Sequence, residues 1–459
     1  MNPRDILALL PDMLARHRAW ESRWHSFAPD ATLDVPRETL DTALDELFTR
    51  LTDNYPFFHP AYAGQMLKPP HPVAVLGYLA AQLINPNNHA LDGGPATGRM
   101  EKDVTARIAR MFGWSAFLGH LTGGGTMANL EALWVARRLH PDRAIAVSDQ
   151  GHYTHARMCE VLGITCFTVP SDANGRMSVE ALRRLLLSEN IGTVVATIGT
   201  TGVGALDPLP DIVRVSRAHG ARVHADAAYG GFFALLAAGE DPLVRADVFG
   251  AMRDCDSIVI DPHKHGLQPY GCGCVLFADP TVGRFYAHDS PYTYFTSDEL
   301  HLGEISLECS RAGASASALW LTLECLPLER GQGLGPILTA CREAALRWAD
   351  MIRASRELYL VLEPELDIVV YFAGGEEAVA SDISRRSRAI FEVAMADPVR
   401  PVYVSTFRIR TSILRSRYPL IGEDQEWTTV LRSVLMKPEH RTHVAELHAR
   451  MEAFARACP

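Results

Sequence analysis

Short apolar runs alternating with helix-period segments dominate the chain from about residue 73 to residue 300. The runs AIAVSD (144–149), ITCFTV (164–169), TVVATIG (193–199), ARVHAD (221–226), SIVID (257–261) and GCVLF (273–277) are brief and rich in β-branched side chains, which predicts strands. Between them, TMANLEALWVARRL (126–139) and VEALRRLLLS (179–188) place apolar residues at three-to-four spacing, which predicts helices. Strand alternating with helix predicts a mainly parallel sheet covered on both faces, because parallel strands need crossovers and are apolar on both sides. Residues 1 to about 55 read as helical, most clearly in DVPRETLDTALDELFTRL, and 54–72 form a loop rich in proline and aromatic residues. Residues 305–356 read as long helices, and VYVSTFRIRTSI (402–413) as a further strand. The expected organisation is a helical segment and loop over 1–72, a large α/β domain over 73–335 and a smaller α/β domain over 336–459.

Composition narrows the function. The chain has 459 residues, 47% of them hydrophobic, which is globular usage, and its formal charge of −10 argues against a general nucleic-acid binder. No apolar run is long enough for a membrane helix, and the start, with Asp5 and Asp12, reads as an amphipathic helix and not as a signal peptide. Nine scattered cysteines without a CxxC pair point to reduced thiols and a cytoplasmic protein. Of 44 basic residues only four are lysine: Lys68, Lys102, Lys264 and Lys437. Arginine stays protonated, whereas a lysine amine can lose its proton and attack a carbonyl, so these four positions are the places to look for covalent chemistry.

Candidate chemistry gathers at the predicted strand ends. In LTGGGTMANLEAL (121–133) three glycines precede Thr126 and a helix pattern. Glycines admit a ligand close to the backbone, and the free amides of a helix start favour a phosphate; Thr126 could cap the helix as well as offer its hydroxyl. Taken alone, the segment is equally a glycine-rich turn with a threonine cap. Asp226 ends ARVHAD, at the edge where parallel sheets bind ligands, and could pair with a cationic ring nitrogen or merely cap the next turn. Lys264 follows SIVID in a loop between His263 and His265, where a partly desolvated amine could form a Schiff base. His263 with His265, and His152 with His155, could also hold a metal, although a lone HxH is a weak metal signal, and a flat imidazole of the second pair could equally stack on a cofactor ring. TTGVGALD (200–207) lacks the third glycine and the immediate helix of a dinucleotide fingerprint. A phosphate cradle, a stacking histidine, a ring-nitrogen carboxylate and a Schiff-base lysine together are the contacts that pyridoxal phosphate requires.

The segments PFFHPAYAGQM, LTGGGTMANLEAL, SDQGH, ATIGTTGVGALD, HADAAYGG and DPHKHG, spread over Pro56 to Leu321, resemble the group II pyridoxal-phosphate-dependent amino-acid decarboxylases. The resemblance implies a fold-type-I, aminotransferase-like architecture and a homodimer with shared active sites. It implies that Gly125 and Thr126 hold the phosphate with help from His263, that His152 stacks on the pyridine ring and that Ala228 covers its other face. It further implies that Thr201 lies beside the ring, that Asp226 pairs with its nitrogen and that Lys264 carries the cofactor. Asp261 and His265, where the animal aromatic decarboxylases have Asn and an aromatic residue, make the chain more similar to the bacterial and archaeal branch, as does SRAGASASALW (310–320). A loop tyrosine expected about thirty residues after the lysine could be Tyr292 or Tyr294.

The implied reaction is decarboxylation of an L-amino acid to its amine, with carbon–carbon lysis, oxidative aldehyde formation and non-catalytic binding as alternatives. Tyr55, Phe57, Phe58, His59 and Tyr62 match the part of the family that lines the side-chain pocket and suggest an aromatic or apolar substrate, unless they are dimer packing. Arg99, Arg311, Arg408 or Arg410 meeting a carboxylate would favour an acidic one.

Overall fold

The structure, a computed structural model, describes residues 2–287 and 306–458. All six expected runs form strands, with ends shifted by a residue or two, and one strand joins them. In chain order these are β1 (Leu118–Thr122), β2 (Ala144–Ser148), β3 (Cys166–Val169), β4 (Ile191–Thr197), β5 (Arg222–Asp226), β6 (Ser257–Ile260) and β7 (Gly273–Phe277). They form one sheet in the order β1-β7-β6-β5-β4-β2-β3. β3, β2, β4, β5 and β6 pair in parallel, and β7 runs against both β6 and β1. Every residue of β2, β4, β6 and β7 is buried, as expected of strands covered on both faces.

β1, with the sequence LGHLT, carries little periodic signal because a glycine and a histidine interrupt it. His120 is buried and lies 2.8 Å from the equally buried Glu131 of the helix Gly125–Leu139, so a polar pair packs where two apolar side chains would otherwise meet. Local chemistry starts the helices as the sequence suggests: Ser178 caps Val179–Ser188 by accepting from the Ala181 N–H at 3.2 Å, and prolines open Pro72–Gln82 and Pro95–Met111.

A second sheet, antiparallel throughout, holds β8 (Leu358–Leu360), β9 (Ile368–Ala373), β10 (Ser405–Arg410) and β11 (Trp427–Val434) in the order β10-β11-β9-β8. β10 is shorter than the expected strand over 402–413. Thr411 turns the chain into the helix Thr411–Arg417, with its hydroxyl donating to the Gln425 carbonyl at 2.7 Å. The helix Leu334–Ala354, with Trp348 fully buried, leads from one sheet to the other and runs through position 335. No helix among the described residues is long and apolar enough to cross a membrane.

Arg311, a candidate for meeting a substrate carboxylate, is instead a structural cation. Its guanidinium lies 2.5 Å from Glu101 and donates to the carbonyls of Leu121 and Asn88 at 2.8 Å each. Glu101 in turn accepts from the Leu121 N–H at 2.9 Å and from Asn88 Nδ2 at 2.6 Å. The pair is nearly closed to solvent, 7% and 1% exposed, so removing one partner strands a buried charge. Arg311→Ala is expected to cost about 3–5 kcal/mol, read as a lowered midpoint in urea denaturation. A loss under about 1 kcal/mol would refute this account.

Candidate active site

Because β4, β5 and β6 are parallel and in register, their C-terminal ends come together: Thr197 pairs with Asp226, and Asp226 with Val259. A cavity of about 620 Å³ opens at this edge. Gly125, Thr126, His152, Thr201, Asp226, Ala228, His263 and Lys264, expected from widely separated segments, all line it. Tyr292 and Tyr294 lie outside the described residues.

The glycine turn forms one end. Gly124 has φ +149°, a conformation that side-chain-bearing residues rarely adopt, and it occupies the N-cap position, so the helix begins at Gly125. Thr126 therefore lies within the first turn and does not cap it, contrary to expectation; its hydroxyl remains available to the cavity. A Cβ on Gly125 would stand 2.7 Å from Asp261 Oδ2, and one on Gly124 would meet the His263 ring at 3.4 Å. Only bare backbone fits between these groups and the cavity. At the outer edge Glu308 Oε2 accepts from the Gly123 N–H at 2.7 Å, a contact across 185 residues that no local pattern marks.

Asp226 is buried and accepts from the Ala228 N–H at 3.2 Å. Behind it, His155 Nε2 lies 2.8 Å from Asp226 Oδ2. Burial would raise the carboxyl pKa, but the hydrogen bond and charge of His155, with Lys264 adding to them, hold it far below the usual range. His155 is thus the support of Asp226, a role the sequence left undistinguished among metal ligand and stacking ring. The structure separates the two histidines: His152 faces the cavity, while His155 sits fully buried on the helix Thr154–Leu162.

Lys264 sits in a turn closed by its N–H donating to the Asp261 carbonyl at 2.9 Å, and its Nζ is 3.1 Å from Asp261 Oδ2. His263 Nε2 lies 3.4 Å from the same oxygen, whereas His265 points away, into the interior, 3.2 Å from Asp367. The neighbouring histidines thus address different carboxylates, and no cluster able to hold a metal occurs among the described residues. Burial lowers the pKa of His152 and of His263, keeping both imidazoles neutral.

Other candidates fall elsewhere. Arg408 and Arg410 lie over the Trp427 ring, 5.5 and 4.8 Å from its centroid, and Arg99 is exposed on the helix Pro95–Met111. Tyr55, Phe57 and Tyr62 cluster with Tyr403, and His59 lines a separate cavity of about 420 Å³ with that tyrosine. Phe58 is exposed. Within one chain the aromatic loop therefore does not line the Lys264 cavity.

Asp261 Oδ1, His263 Nδ1 and Thr197 Oγ1 are buried at this cavity without hydrogen-bond partners among the described residues, leaving polar capacity for a bound group. A bare helix start suits a phosphate, an ionised buried carboxylate suits a protonated ring nitrogen, and a lysine between them suits an aldehyde. The donor set thus fits pyridoxal 5′-phosphate, and the class it defines is a fold-type-I pyridoxal-phosphate enzyme. The chain belongs to the pyridoxal-dependent decarboxylase family: the model of that conserved domain matches residues 56–373. It is similar to the L-tyrosine decarboxylase of Levilactobacillus brevis, 26% identical over 77% of this chain and 74% of that one. To the probable L-tyrosine/L-aspartate decarboxylase of Methanothermobacter thermautotrophicus it is 30% identical over 67% and 82%. The fold superposes on that of Oryza sativa TDC with PLP and tryptamine with a TM-score of 0.78, at 19% identity, over 99% of this chain and 98% of that one.

The site carries a pH signature independent of the cofactor. His224, in β5 two residues before Asp226, is wholly buried between Asn129 and Ser257, 2.8 Å from each, and burial lowers its pKa to about 3. Unfolded, it titrates near 6.5, so between these values the unfolded chain binds more protons and stability falls as pH falls. Between pH 7 and pH 5 this residue alone is expected to remove about 2 kcal/mol, measured by urea denaturation at both values. His224→Asn should flatten that dependence; an unchanged slope would refute the assignment.

Proposed function

We propose that the chain decarboxylates an aromatic or apolar L-amino acid to its amine and carbon dioxide. The observation that carries the substrate class is the lining of the cavity. None of Arg99, Arg311, Arg408 and Arg410 lines it, while Met127, Leu130, Met158 and Val161 do. Arg157 also lines it, beside the exposed Tyr153 ring at 5.2 Å, and is a feature that favours an acidic substrate.

In this reading the amides of Gly125 and Thr126, the Thr126 hydroxyl and His263 hold the phosphate. Asp226, kept ionised by His155, holds a proton on the ring nitrogen. His152 and Ala228 would bound the two faces of the ring, with Thr201 beside it. When bound, pyridoxal phosphate supplies a conjugated ring that accepts the electron pair released as the Cα–carboxylate bond breaks. Asp226, buried and hydrogen-bonded from behind, would supply the negative charge that keeps the ring nitrogen protonated. Lys264 would hold the cofactor through its amine. Tyr292 or Tyr294 returns a proton to Cα, with His152, neutral and facing the cavity, as the supporting group.

The reading includes a cytoplasmic homodimer with shared active sites. What supports a second copy is the helix Arg37–Leu51, where Leu40, Leu44, Leu47, Phe48 and Leu51 form an apolar stripe left exposed.

The test is product analysis by mass spectrometry after incubation with pyridoxal phosphate and each proteinogenic L-amino acid, with and without oxygen. An amine from an aromatic or apolar substrate is the expected result. An amine from aspartate or glutamate would transfer the role to Arg157, and an oxygen-dependent aldehyde would overturn simple decarboxylation. Lys264→Ala is expected to abolish turnover, and Asp226→Asn to lower kcat by about 10²-fold or more.

A further inference from the structure

A buried carboxylate from the second sheet stands behind the cavity. Asp367 precedes β9 and is completely buried. Its Oδ1 accepts from the Tyr229 hydroxyl at 2.6 Å, and its Oδ2 lies 3.2 Å from His265 Nε2. Tyr229 directly follows Ala228, and His265 directly follows Lys264. The His265 ring also meets the Tyr229 and Phe233 rings edge-on, with centroids 4.9 Å apart in both cases.

The main chain around this carboxylate is held firmly. The Leu435 N–H donates to the Asp367 carbonyl at 2.8 Å, and Arg342 donates to the Leu366 carbonyl at 2.8 Å. On the cavity side, Gly230 and Gly231 donate to the carbonyls of Ile198 and Ala227 at 3.0 and 2.8 Å. A Cβ on Gly230 would lie 2.3 Å from the Ile198 oxygen, so this turn has no slack. A shift of Tyr229 is therefore passed to Ala228.

Neither Tyr229 nor His265 has been given a chemical role, and both would pack as apolar residues if packing were all they did. A buried anion is costly, and apolar replacements of buried charge networks are often neutral or stabilising. Asp367 nevertheless stays ionised: burial would raise its pKa, and His265, the Tyr229 hydroxyl and Lys68 together bring it below the usual value. A hydrogen bond to an ionised acceptor is shorter and roughly twice as strong as a neutral one, so the Tyr229 bond fixes direction as well as distance, while His265 meets the carboxylate by proximity and charge.

We propose that Asp367 is a positioning residue for the reaction: by holding Tyr229 and His265 together, it sets the separation between the wall at Ala228 and the lysine at 264. The second sheet thereby sets the geometry of a cavity built from the first. This rests on the reading of the cavity as a decarboxylase site.

The experiment compares the native chain with Tyr229→Phe, Asp367→Asn and the double variant, each prepared without cofactor and then titrated with pyridoxal phosphate. Cofactor Kd, the visible absorption band, kcat and KM are measured, with circular dichroism to establish folding. Each single variant is expected to lower kcat about 10- to 100-fold with KM changed less than about threefold, to shift the band, and to raise the cofactor Kd. The double variant is expected to be no worse than the poorer single one, because both break the same contact. Folded variants with native kcat, Kd and band overturn the proposal, as do effects that multiply in the double variant. If Asp367→Asn does not fold, Tyr229→Phe decides alone, since it removes one hydroxyl and leaves the volume nearly unchanged. Native chain that binds cofactor but forms no product would refute the activity, while the Kd and band comparison would still decide the role of Asp367.

Discussion

The buried hydrogen bond between Asp226 and His155 constrains everything around it. A carboxylate this deeply buried persists only if other groups repay its lost hydration. At 2.8 Å the His155 imidazole does so from behind, and the Ala228 amide adds a hydrogen bond from the side. With the rear satisfied, Asp226 is left to line the cavity. The parallel register of β4, β5 and β6 then determines what else reaches it. Thr197, Asp226 and the loop after Ile260 end at one level, and Lys264 follows four residues beyond that strand.

Carboxylates recur wherever a segment must be held against its neighbours. Glu101 ties Arg311 to β1, Asp207 accepts from the Met177 and Thr197 amides at 2.6 and 2.7 Å, and Asp367 joins the second sheet to Tyr229. Each bridges elements distant in sequence through fixed backbone or side-chain donors. Burial pushes Asp207 up to about 7, so a proton is shared out near neutrality at the end of β4, whereas Asp226 and Asp367 are kept ionised by imidazoles and nearby ammonium groups. Neighbours, more than depth, decide the charge state.

The scarcity of lysine has a structural reading as well as a chemical one. Lys264 is in the cavity, but Lys68, partly buried, and Lys437, buried, donate to single carbonyls, those of Met436 at 3.1 Å and Tyr62 at 2.6 Å. A compact amine serves one acceptor in a tight space where a guanidinium fork would leave donors unsatisfied. The count therefore directed attention to four positions, of which Lys264 alone lines the cavity.

The strands, the glycine turn, Asp226 and the lysine loop were legible in the chain because each is encoded locally. Hydrophobic period sets a strand, a glycine run sets a turn, and a polar residue at a strand end in a parallel sheet lies where ligands bind. The family was legible as a resemblance carried by the motifs around these pieces. β1 was not legible, because its buried histidine pairs with Glu131, eleven positions away on another element. The partners of Asp226, Gly123 and Tyr229 were not legible either: His155, Glu308 and Asp367 stand 71, 185 and 138 residues from them. The sequence by itself determined which groups could do the chemistry; only the tertiary structure decided which buried charges hold them. A hydrogen bond across a sheet depends on distance in space, and no spacing along the chain records it.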